Sequence, residues 1–156
     1  MYYQEKKTIA TLIAGVMLLA AYCIYVFQKY QSGVIDMAND LKFWASTMLI
    51  FMGAGIVITI IILIVFHIIN AIMTEVSKGE QEDPLVEDEM DKLIQLKATR
   101  NSYIVVGVGF VFSLVSLVMQ MPLAIMINTI FLSFLLGSIF EGFSQLFYYR
   151  SGIKNG

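Results

Sequence analysis

Four apolar runs, each about as long as a bilayer is thick, dominate this chain of 156 residues: Thr8 to Phe27, Phe43 to Ile69, Ser102 to Gln120 and Pro122 to Phe147. At 1.5 Å per residue, a helix needs about 20 apolar residues to cross about 30 Å of hydrocarbon. Inside that layer every backbone N–H and C=O must be paired within the protein, which a helix does by itself. The sequence therefore predicts an all-α fold, a four-span transmembrane helical bundle forming one membrane domain. Composition agrees, since 58% of residues are hydrophobic and only 14% charged, against about 25% charged in soluble domains.

Lys6 and Lys7 ahead of the first run resemble the start of a secretory leader. The run is longer than the roughly 7 to 15 residues of a leader's apolar core. Ala20-Ala21 lies inside it and further spans follow, so a retained first span is expected. The single cysteine, Cys23, permits neither an intramolecular disulfide nor a Cys-paired metal site and reads as a packing residue. A net charge of -2 with no clustered basic patch argues against direct nucleic-acid binding.

The third and fourth runs are separated by so little that they must form a tight antiparallel hairpin, with Pro122 at the first turn of the fourth helix, where a missing N–H costs nothing. The second run is longer than a membrane requires, and helix-compatible sequence continues through Asn70 to Val76. Orientation follows from Lys and Arg placement. Lys6, Lys7, Lys78, Lys92, Lys97, Arg100, Arg150 and Lys154 fall on one side, and Lys29 and Lys42 on the other. Both termini and the 70–101 connection are therefore expected in the cytoplasm. Tyr2, Tyr3, Tyr103, Tyr148 and Tyr149 suit an inner aromatic belt, and Tyr30 and Trp44 an outer one. Two hairpins joined by a cytoplasmic helical segment result.

That segment is a polar island. Eight of the twelve acidic residues and four of the ten basic ones lie between Glu75 and Arg100. Asp83-Pro84 reads as a helix cap followed by proline at the first helical position, with Glu87 and Asp88 suiting the helix dipole. Val86, Met90, Leu93, Ile94 and Lys97 follow at spacings of three and four, an apolar stripe flanked by Glu87, Asp88, Asp91 and Lys92. A helix of this kind either lies along the membrane surface or runs straight into the third span. Glu87, Asp88, Met90, Asp91, Leu93 and Ile94 are the candidate partner-binding residues. The acidic cluster lacks the glycine and terminal glutamate of a calcium loop and reads as a solvated face or a docking surface for a basic partner.

Glu87-Asp88-Glu89-Met90-Asp91-Lys92-Leu93-Ile94, then Lys97-Ala98-Thr99-Arg100 and Ser102-Tyr103, resembles the acidic DE-x-D-x-x-I signature of an uncharacterised family of small prokaryotic integral membrane proteins. In that family the motif precedes a transmembrane hairpin. Here Met90 stands where such motifs often carry arginine. The resemblance covers Val86 to Tyr103, with fainter agreement to the Tyr148-Tyr149-Arg150 end, about a third of the chain. It implies a bacterial or archaeal inner-membrane protein of the kind often encoded beside small DNA-binding regulators.

Within the spans Glu141 is the only carboxylate, ~13 Å deeper than Arg150 along a helix, and an ionised carboxylate there is costly. Thr129, Ser133, Gly137, Glu141 and Gln145 recur at intervals of four, a small and polar ridge expected to face protein. It serves either to glue helices or to handle a proton, ion or ligand. Gly109, Ser113, Ser116 and Gln120 form a second seam, suited to packing on the fourth span. Gly53 and Gly55 are expected to admit a neighbour on the second.

His67 shares a face with Asn70 and Thr74, and a pairing of His67 with Glu141 would make a proton switch. Glu141, Gln145, His67 and Asn70 are thus the candidate ligand- or ion-handling residues. No nucleophile elbow, phosphate loop, zincin pair or Cys–His arrangement is present, so neither enzyme chemistry nor a metal or other cofactor is expected. The leading expectation is a non-enzymatic interaction or regulatory subunit of the membrane, with the small-residue seams as interfaces for homo-oligomers or a membrane or cytoplasmic protein partner. The alternatives are a small oligomeric transporter or channel using Glu141 and an immunity or resistance protein that binds a membrane-active compound.

Overall fold

The computed structural model describes residues 3–33, 39–76 and 89–151, which form four helices and, among the described residues, no strand. They are α1 (Tyr3–Gln31), α2 (Leu41–Val76), α3 (Glu89–Val118) and α4 (Leu123–Ser151). All four are long and apolar enough to cross a membrane. Their antiparallel order gathers the start of α1, the end of α2, the start of α3 and the end of α4 at one end of the bundle, the terminal end. The two short connections lie at the opposite, loop end.

Local chemistry sets the helix ends at the loop end. α1 stops where Gly33 takes a φ of 63°, a left-handed conformation that glycine adopts without penalty. Asp40 caps α2, its Oδ1 accepting the Phe43 N–H at 3.0 Å. α3 closes with a paired 6→1 and 5→2 arrangement, Met121 N–H to Ser116 C=O at 3.0 Å and Gln120 N–H to Leu117 C=O at 2.9 Å. Gln120 stands at the left-handed position of this motif with a φ of 55°, where glycine is usual. The expected hairpin is therefore present, but Gln120 belongs to its turn and not to the seam of the third span. Pro122 immediately precedes α4.

α4 is the hub. It packs on α3, against α1 and more lightly on α2, whereas among the described residues α3 has substantial contact with α4 alone. Small residues make the α3–α4 approach close. A Cβ at Gly109 would overlap the Ser133 side chain, and one at Gly137 would come within 2.7 Å of Val106 Cγ2 and 3.2 Å of Ser102 Oγ. Ser113, Ser116 and Ser133 are buried, yet each hydroxyl donates to a carbonyl of its own helix, at 2.6, 2.7 and 2.7 Å. Satisfied in this way, they present small, effectively apolar surfaces. The buried face of α3 continues past Ser102 through Ala98 to Ile94, well before the start of the third apolar run.

The expected ridge on α4 does not stay on one face. Each step of four residues turns about 40° beyond a full helical turn, so four steps carry Gln145 about 160° around from Thr129. Ser133 and Gly137 accordingly face α3, while the Thr8 hydroxyl of α1 donates to Gln145.

At the loop end, Tyr22, Trp44, Met48, Ala124 and Phe131 form the core cluster that joins α1, α2 and α4. Trp44 is 5% exposed, so it is a core residue and not the lipid-facing belt residue expected. The Tyr22 hydroxyl donates to Asn128 Oδ1 at 2.5 Å. Beyond Met48 no described residue of α2 is buried. Gly55 does admit a neighbour, Leu18, whereas Gly53 faces open space. From there to Ile72 α2 exposes isoleucine and valine nearly all round. Such a surface is stable in hydrocarbon and not in water.

Candidate functional site

Polar side chains concentrate where α1, α3 and α4 meet near the terminal end. Glu141 of α4 is partly buried, and its Oε1 accepts the Thr99 hydroxyl of α3 at 2.8 Å. The Gln145 amide approaches the same oxygen at 3.5 Å, a long and weak contact. The Thr8 hydroxyl has one proton and two acceptors, Gln4 C=O at 2.9 Å and Gln145 Oε1 at 3.1 Å. A polar chain Thr99, Glu141, Gln145, Thr8 thus crosses from α3 through α4 to α1. Beside it the Asn101 amide donates to the Tyr148 hydroxyl at 3.2 Å and reaches Ser144 Oγ at 3.4 Å. Nearer the terminal end, Arg150 Nε meets Glu5 Oε1 at 3.2 Å, the one ion pair among the described residues.

Glu141 also lines a cleft. Because α2 is held at Trp44, Thr47 and Met48 and is unburied beyond them, α1, α2 and α4 enclose a cavity of about 780 Å³. Its walls are mostly apolar, with Leu18, Phe51, Ile56, Phe131 and Leu135 among them. Thr11, Glu141 and Gln145 lie toward its terminal end.

Among the sequence-predicted site residues, Glu141 and Gln145 are brought together and share this cleft. His67 is exposed on α2 and does not line it. The expected His67–Glu141 pairing is therefore absent, because α2 stands away from α4 at that depth. Asn70 lies in α2, and its side chain, like that of Thr74, is outside the described set. So are Val86, Glu87, Asp88 and the Asp83-Pro84 cap.

From Glu89 onward the expected amphipathic helix is the beginning of α3 and continues without a break into the third span. Of the two arrangements open to it, it takes the straight one. Met90 and Leu93 are exposed with Asp91 beside them, but Ile94 is 1% exposed. Ile94 is thus unavailable to a partner: it shares the α3 face that carries Ala98 and Ser102, and the chain itself covers that face.

No family model, curated protein or solved structure matches this chain.

Sequence reasoning missed Thr99, Asn101, Thr8 and the Glu5–Arg150 pair. For Thr99 a signal existed. Thr99 and Glu141 each stand 21 residues from Gln120, and in a tight antiparallel hairpin residues equidistant from the turn come face to face. Nothing comparable marks Thr8, whose helix is separated from α4 by the whole middle of the chain. Among the described residues no group of three His, Cys, Asp or Glu side chains converges as a metal site would require.

Proposed function

We propose that the chain is a non-enzymatic, multi-pass protein of a prokaryotic cytoplasmic membrane, with both termini in the cytoplasm, acting as an interaction or regulatory subunit through the acidic start of α3. The observation that carries this reading is the continuity of α3 from Glu89 to Val118. A partner that grips exposed Met90 and Leu93 grips the same rigid rod that packs on the hub helix α4. Ile94, Ala98 and Ser102, buried along that rod, make any tilt of the acidic end a shift of the α3–α4 seam. The partner's complementary chemistry is a basic segment with an apolar face, matched to Glu89 and Asp91 around Met90 and Leu93. Charge placement, eight cationic residues on one side against two on the other, supports the orientation. The resemblance of the 86–103 stretch to the acidic-motif membrane family supports the setting.

The test is site-specific photocross-linking in intact cells. A photoreactive residue at Leu93 is expected to capture a second polypeptide, and one at Ile94 to capture none. Charge reversal across Glu87, Asp88, Glu89 and Asp91 is expected to abolish the Leu93 adduct. Equal cross-linking from both positions, or an adduct indifferent to charge reversal, would refute the reading.

Transport past Glu141 draws on one observation, its place on the cleft wall. The same carboxylate ties α3 to α4 through Thr99, a role that suits binding in the cleft better than passage through it.

A further inference from the structure

We propose that the cleft between α1, α2 and α4 is a binding site for lipophilic cations, molecules with an apolar body and a single ammonium or phosphonium centre, taken up from the bilayer. It is separate from the α3 partner surface and independent of it. Three observations converge. The volume of about 780 Å³ lies within the roughly 300 to 1,000 Å³ of sites that hold small organic ligands. Its α2 wall is unburied beyond Met48, while α1 and α4 pack on each other, so it is reached laterally, between α2 and its neighbours, from the surrounding hydrocarbon. Its terminal end carries the one carboxylate of the apolar runs, and that carboxylate is half used. Glu141 Oε1 accepts from Thr99 and Gln145, whereas Oε2 has no partner among the described residues. Nor is Oε2 sealed away, since among the described residues no buried side-chain oxygen lacks a hydrogen-bond partner.

Charge complementarity selects the occupant. No cationic side chain among the described residues pairs with Glu141, the only ion pair there being Arg150 with Glu5. An acyl chain or a neutral solute would fill the apolar walls and leave the carboxylate without a counter-charge. An anion would be repelled. A cation with an apolar body satisfies both ends, the body against Leu18, Phe51, Phe131 and Leu135 and the charge against Oε2. The separation is suitable, since Glu141 lies ten residues along α4 from Phe131, about 15 Å of helix. In a medium of low dielectric constant the charge contact is worth far more than at a water-exposed surface.

The experiment uses the full chain in nanodiscs of neutral lipid with radiolabelled tetraphenylphosphonium competed by the unlabelled cation and, in separate samples, with radiolabelled tetraphenylborate, an anion of the same shape, competed by the unlabelled anion. Saturable binding of the cation and none of the anion is expected. Glu141→Gln keeps an oxygen for Thr99 to donate to and removes the charge. It should weaken binding by about tenfold or more, the change produced by 1.4 kcal/mol of lost interaction. Thr59→Trp, which places an indole in the cleft from its α2 wall, should abolish binding while the melting temperature stays at the wild-type value. Ile104→Trp, on the exposed face of α3, should change nothing. Absence of saturable cation binding, equal saturable binding of the borate, or unaltered affinity in Glu141→Gln would overturn the proposal. Binding that ignores charge but is lost in Thr59→Trp would assign the cleft to an acyl chain and overturn it as well. Should Glu141→Gln not fold, the shape-matched ion pair and Thr59→Trp decide the matter. The proposal can fail while the Leu93 cross-link stands, and the reverse.

Discussion

Gly109→Val is expected to destabilise the bundle by about 3 kcal/mol, the upper part of the range for overpacked interiors, whereas Gly107→Val should be within about 0.5 kcal/mol of wild type. The two glycines are two residues apart on α3 and have the same intrinsic preference against helix. They differ only in what lies opposite. A Cβ at Gly109 overlaps the Ser133 side chain and comes within 3.4 Å of the Ser133 Cα, so the clash cannot be relieved by rotating a side chain. The two helix backbones must separate. At Gly107 there is nothing within 4 Å, and the new side chain meets lipid. Separation of α3 from α4 is costly because lipid is as apolar as the side chains released, leaving close van der Waals contact as the main force holding the pair. Reversible unfolding in mixed micelles, followed by the ellipticity of the helices, measures the difference directly. Equal losses at the two positions would contradict the α3–α4 seam.

Glu141→Leu should cost about 1 to 3 kcal/mol, and the cost should be shared with Thr99. The hydrogen bond at 2.8 Å between Thr99 Oγ1 and Glu141 Oε1 is the shortest polar link between side chains of α3 and α4. Hydrogen bonds to charged groups contribute about 1.5 to 3 kcal/mol in water-soluble proteins, but interhelical ones in a membrane average about 0.6, with a maximum of about 1.7. The shortness of the bond places it toward the upper end of that scale. A double-mutant cycle of Thr99→Val with Glu141→Leu is therefore expected to give a coupling of about 1 kcal/mol or more. The cycle of Thr8→Val with Glu141→Leu should give much less, because Thr8 reaches Glu141 only through the 3.5 Å contact of Gln145. Glu141→Gln retains the acceptor and should cost less than Glu141→Leu. Coupling of Thr99 and Glu141 indistinguishable from zero would remove the polar clamp from the description.

The number, order and hairpin pairing of the helices were legible in the sequence because length and apolarity alone decide them in a bilayer. Serine and glycine at 109, 113 and 116 were legible as a packing seam for the same reason, small residues being what lets two backbones approach. The limits of that reading are equally physical. Repetition every four residues looks like a ridge in a sequence and becomes a spiral on a helix of 3.6 residues per turn, so Ser133 and Gln145 serve different neighbours. Trp44 has the composition of an interfacial anchor and lies buried among Tyr22, Met48, Ala124 and Phe131. Its burial depends on where α1 and α4 stand, which no local pattern encodes. Ile94 looked like one more residue of an exposed stripe. Its burial follows from α3 extending past the apolar run while still packed on α4. The cleft was invisible in sequence, because it results from α2 being held at one end only.

The continuity of α3 is most directly tested by a distance between its ends. In a Cys23→Ala background, Met90→Cys and Val118→Cys place spin labels at two exposed positions for pulsed electron–electron double resonance in nanodiscs. Twenty-eight residues of unbroken helix separate them by about 42 Å at 1.5 Å per residue. A single narrow distribution near that value is expected. A helix bent at Arg100 to lie along the membrane surface would bring the labels to about 31 Å by the same rise. That shorter distance, or a broad distribution, would contradict the rigid link between the acidic segment and the bundle.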